Sequence, residues 1–131
     1  MYRRGRRMRR RAVEALVRRA LEGLPPDICR LINNVEIVVE REPSPEQLQL
    51  AGIAPESDET LFGLYEGVPL TQRDSNYGLV LPDRITIFQG PLEELCQTRQ
   101  EIVEEIRKTV VHELAHHFGI GEARLRELGY E

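Results

Sequence analysis

An α+β domain is what this sequence predicts, on three observations: a helical apolar period near its start, short β-branched runs in its middle, and a long amphipathic helix near its end. The chain has 131 residues, enough for one domain with a single modest core. Apolar residues make up 40% and there is no Trp, so the core must be built mainly from Leu, Ile and Val.

The elements follow in order. From Arg9 to Leu24, the residues Val13, Leu16, Val17, Ala20, Leu21 and Leu24 recur at helical spacing. Pro25-Pro26 ends that helix, because proline lacks the N–H and crowds the preceding turn. Asp27 to Asn33 sets Ile28, Leu31 and Ile32 on one side and predicts a short helical turn. Val35–Glu40 is β-branched and alternating, hence a strand. Residues 41–60 are rich in Pro, Glu and Ser and read as a loop with one short helical turn at Pro45–Ala51.

Leu61–Glu66 predicts a second strand, and Gly67–Asn76 another loop. Asp83–Gln89 is a further strand, stopped by Gly90-Pro91. Pro91 suits the first turn of a short helix through Leu95 and Cys96. Arg99–Phe118 is the longest helix: Ile102, Val103, Ile106, Val110 and Leu114, with Phe118 a candidate to extend them, form its buried stripe. Gly119 ends it, and Glu122–Leu128 is a last short helix before Gly129.

Charge is distributed unevenly. Residues 1–19 hold nine Arg and one Glu, a net of +8, while the rest carries −12. Residues 1–11 are expected to be a basic, flexible arm and 12–131 a single domain. Such an arm on an acidic body could touch nucleic acid or an anionic surface, but no aromatic or RNA-binding signature accompanies it, so a solvated terminus is the expectation. The segment after it, AVEALVRRALEGL, carries Glu14, Arg18 and Arg19 and so lacks the apolar stretch of a secretion signal. No run is long enough to span a membrane. These features predict a cytoplasmic protein, in which Cys29 and Cys96 are expected to be two buried free thiols.

The chemistry lies in Val111-His-Glu-Leu-Ala-His-His-Phe118, which contains H-E-x-x-H on the longest helix. Residues i and i+4 stand one above the other, so His112 and His116 can present two imidazoles to one metal ion. Glu113 is rotated by about 100 degrees and is placed to take a proton from a metal-activated water rather than to ligate. A catalytic zinc site takes three protein donors. Gly119 can turn the chain back, which brings Glu122, three residues later, within reach as the third donor, directly or through water. His117 points about 100 degrees away from His116 and is not expected to ligate the same ion. Tyr130, Arg73 and His117 are unranked candidates for stabilising an oxyanion, while Tyr65 and Tyr77 are expected at the core or rim.

With these residues the sequence resembles the zincin metallopeptidases. More closely, Leu61 to Tyr130 resembles the small bacterial zincin-like, matrix-metalloprotease-like proteins described as minimal zincins. The matching pieces are LFGLYEGVPLTQR, LPDRITIFQGPLEEL and TVVHELAHHFGIGEARLRELGY. The resemblance implies a compact fold in which a small mixed β-sheet packs on the metal-binding helix. It further implies zinc held by His112, His116 and Glu122, with Glu113 as the base. Asp commonly fills the third position in that family, so Glu122 is a departure. The Met-turn of true metzincins is also missing, since the methionines are Met1 and Met8. The expected function is therefore zinc-dependent hydrolysis of peptide bonds. The alternative is a non-catalytic zinc-binding regulatory or interaction protein.

Overall fold

Ile106, Val110 and Leu114 recur down one face of the longest helix and are fully buried, and the other elements are arranged to cover them. Each such side chain contributes on the order of 2 kcal/mol by leaving water. The computed structural model describes residues 8–67 and 83–130. Within these, the chain runs α1 (Arg10–Glu22), α2 (Pro26–Ile32), β1 (Val35–Glu40), α3 (Pro45–Leu50), β2 (Gly63–Glu66), β3 (Asp83–Phe88), α4 (Gln89–Leu95), α5 (Arg99–Phe118) and α6 (Glu122–Leu128). No helix among the described residues is long and apolar enough to cross a membrane.

The three strands form one small mixed sheet in the order β1-β3-β2. β1 pairs with β3 in parallel, Ile37 opposite Ile85 and Val39 opposite Ile87. β2 pairs antiparallel, Gly63 opposite Ile87 and Tyr65 opposite Ile85. Side chains alternate across a strand, so Ile85 and Ile87 turn to one face with Val39, against α1 and α5. The opposite face carries Leu64 and Phe88 and, under α3, a polar contact: Thr86 Oγ1 and Gln47 Nε2 both donate to Glu66 Oε1, at 2.9 and 3.1 Å. α3 exists because Ser44 and Gln47 form a reciprocal capping box at its start.

Differences from the sequence expectation are local. α1 stops at Glu22, two residues short of Leu24, because Leu24 precedes Pro25 and is kept from helical backbone, and Arg107 of α5 caps the end. The Arg107 guanidinium donates to the carbonyls of Ala20 (3.0 Å) and Arg19 (3.4 Å), which have no further helical turn to bond to. β3 ends at Phe88 and Gln89 starts α4, where its side-chain amide donates to Glu93 one turn on. β2 begins at Gly63, though Phe62 already accepts a hydrogen bond from Phe88 N–H.

The cysteines need a correction. Cys96 is buried but Cys29 is exposed. It follows Ile28, which points into the core, and one residue along a helix is a rotation of about 100 degrees toward solvent. Burial, reinforced by Glu105 and Glu101, pushes the Cys96 thiol up to about 11. A thiolate-directed alkylating reagent at pH 8 is therefore expected to modify Cys29 and spare Cys96 until the chain is unfolded, as peptide mass mapping would read. Labelling of both in the native state would contradict this packing.

Candidate metal centre

α5 carries the H-E-x-x-H residues in its last two turns. Thr98 fixes its start by accepting from Glu101 N–H at 3.0 Å. Gly119 fixes its end with φ of +70°, a left-handed conformation that costs a residue with a Cβ about 1–2 kcal/mol. Ile120 N–H then donates back to the Ala115 carbonyl at 3.0 Å, and the chain turns into α6. Arg124 holds α6 to α2 through a two-pronged contact with Asp27, at 2.8 and 2.9 Å. Hydrogen bonds from that guanidinium hold the Asp27 carboxyl below the usual carboxylate range.

The turn brings the predicted ligands to one place. His112, His116 and Glu122 line a cavity of about 340 Å³, together with Ala115, Leu125 and Tyr130. His112 is half-buried, while His116 and Glu122 are exposed. Gly129, again with positive φ, folds Tyr130 back, and the Tyr130 N–H donates to the Leu125 carbonyl at 2.8 Å. The Tyr130 carbonyl then accepts from Nε2 of His112. The donor types suit zinc: two imidazoles one turn apart and a carboxylate facing the same space. They are not drawn into one coordination sphere, since no group of three His, Cys, Asp or Glu among the described residues is close enough to hold an ion. His116 and Glu122 are exposed, so packing does not fix their side chains.

Glu113 lies on the adjacent face of α5. It is not among the residues that line the cavity; its Oε1 accepts from the backbone N–H of Tyr65 in β2 at 2.8 Å. A stripe of α5 at four-residue spacing runs along β2. Thr109 lies against Gly63, where an added Cβ would come within 2.7 Å of its Cγ2. Glu113 meets Tyr65 N–H, and the His117 ring stacks on the Tyr65 ring with centroids 4.0 Å apart. The match is geometric: four helical residues advance about 6.0 Å and two strand residues about 6.6 Å.

Zincin-like metallopeptidases as a family match residues 32–130. This chain belongs to the zincin-like metallopeptidase family. Among solved structures it is similar to a conserved hypothetical protein from Thermo thermophilus. That likeness has 25% identity and a TM-score of 0.54, and covers 83% of this chain and 92% of the other. No curated protein matches the chain.

The remaining sequence expectations divide by position in this zincin-like fold. Of the three oxyanion candidates, Tyr130 lines the cavity, His117 lies on the β2 side, and Arg73 falls outside the described residues, as does Tyr77. Residues 1–7 of the basic arm also fall outside them. Asp83 was not singled out by the sequence. It accepts from the Tyr65 hydroxyl at 2.6 Å and lies 3.6 Å from His117 Nε2. Only the sheet register brings it there, so no local sequence signal could have found it.

Proposed function

We propose that this chain is a zinc-dependent metallopeptidase in which His112, His116 and Glu122 hold the metal and Glu113 is the general base. The observation that carries this reading is the division of α5 into two adjacent faces. One presents both histidines to a cavity shared with Glu122, and the next presents a carboxylate at a strand edge.

Zinc, when bound, supplies Lewis acidity that polarises a carbonyl and lowers the pKa of water toward about 7. The chain's own residues do the rest. Glu113 accepts a proton from the attacking water and passes it to the leaving amine nitrogen, so that one water adds across the broken C–N bond. An extended peptide would need main-chain partners other than the Tyr65 N–H, which Glu113 already takes. Tyr130, at the cavity wall, is the candidate donor to the oxyanion. Ligation through Nε2 of His112 requires its contact with the Tyr130 carbonyl to open.

The test is cleavage of a diverse mixture of unstructured peptides by the zinc-loaded chain. Glu113→Gln is expected to lower the rate by about 10²–10⁴-fold and to retain the metal. A zinc-loaded wild type that cleaves nothing in a broad mixture would remove the peptidase reading and leave the zinc-binding regulatory or interaction domain.

A further inference from the structure

β2 is four residues long and, among the described residues, pairs with a strand on one side only, so it presents an outer edge. Phe88 N–H bonds to the Phe62 carbonyl, and antiparallel pairs alternate. Leu64 and Glu66 therefore turn their amides to β3, while Tyr65 turns its own outward. Glu113 takes that outward N–H at 2.8 Å. A half-buried Glu on a helix otherwise keeps the rotamer freedom of a long side chain, and a charge-assisted hydrogen bond to a fixed amide removes much of it.

The Tyr65 ring is itself held on several sides. It stacks on His117 with an interplanar angle of 16° and meets Phe118 edge-on at 6.1 Å. Its hydroxyl donates to Asp83 at 2.6 Å. Asp83 is the first residue of β3, so this contact ties β2 to β3 beyond the last ladder pair, Glu66 opposite Arg84.

We propose that Tyr65 is the positioning residue for Glu113: its backbone N–H sets the carboxylate, and Asp83 with His117 clamps its ring to keep that amide in place. The inference rests on the reading of Glu113 as the base, since misplacing a catalytic group by about 1 Å can cost on the order of 10²-fold in rate.

The experiment is residue-resolved amide hydrogen exchange, with bound zinc measured in parallel. In the wild type, the Tyr65 amide should be protected although it faces away from β3. Glu113→Ala should speed its exchange by about tenfold or more, and Tyr65→Phe or His117→Ala by several-fold. Leu64 and Glu66 should stay protected, which shows that β2 is still formed. Where cleavage is measured, the two ring variants should lower kcat and leave KM unchanged. Equal exchange at residue 65 in wild type and Glu113→Ala would overturn the proposal, as would a rise in KM with kcat intact. Loss of zinc binding in the wild type would instead defeat the metallopeptidase reading and leave the exchange result standing.

Discussion

His116→Ala is expected to lower bound zinc from about one per chain to nearly none, measured by metal analysis after dialysis against a weak chelator. Removing a partner that merely orients a ligand costs about 10–100-fold in affinity, so removing a ligand should cost more than roughly 100-fold. His116 gives the cleaner test of the two histidines. It is exposed, so its truncation opens no cavity, whereas His112 is half-buried and bonded to the Tyr130 carbonyl. Glu122→Ala separates the two ways in which that carboxylate can act. A loss equal to that of His116→Ala means direct ligation, and a loss of about 10–100-fold means contact through water. Glu113→Gln should keep its metal, because its side chain bonds to the Tyr65 amide and is not one of the three proposed ligands. Full zinc occupancy in His116→Ala would sink the assignment.

The parts of this architecture that could be read from the sequence are those with a local physical cause. α5 was readable because its apolar stripe and its Gly119 stop lie within one stretch of chain. The two-histidine face followed from helical spacing alone, and so did the rotation of Glu113 away from it. The capping box of α3 was equally local. What Glu113 touches was not readable, because it depends on β2 pairing with β3 in a register that brings Tyr65 beside the last turns of α5. The Arg107 cap on α1 and the Arg124–Asp27 tie join residues far apart in sequence, and nothing local marks them. Cys29 shows a further limit. The missing secretion signal suggested two buried free thiols, but that says nothing of which face of a helix a cysteine takes, and in the seven-residue α2 it is Ile28 that occupies the inner face.

The largest expected loss of stability comes from Arg41→Ala, at the exit of β1. Its guanidinium pairs with Glu93 of α4, a carboxylate only 4% exposed. Glu93 also accepts from the Met8 backbone N–H and from Gln89 Nε2, the latter at 3.0 Å. The cluster thus joins the start of α1, the end of β1 and α4. A buried carboxylate is tolerable while a cation and hydrogen-bond donors compensate for the water it has lost. Arg41→Ala removes the cation and leaves two neutral donors, so the cost should be roughly 2–4 kcal/mol, a sizeable share of a typical domain's 5–15. Thermal unfolding should shift down by about 8–15 °C. Glu93→Gln should cost less, because no charge then remains buried and Arg41, partly exposed, can turn to water. This ordering is the sharp part of the prediction. Were Glu93→Gln the more damaging change, the cluster would be held together by the hydrogen bonds of the carboxylate to Met8 and Gln89, and the cation would be incidental.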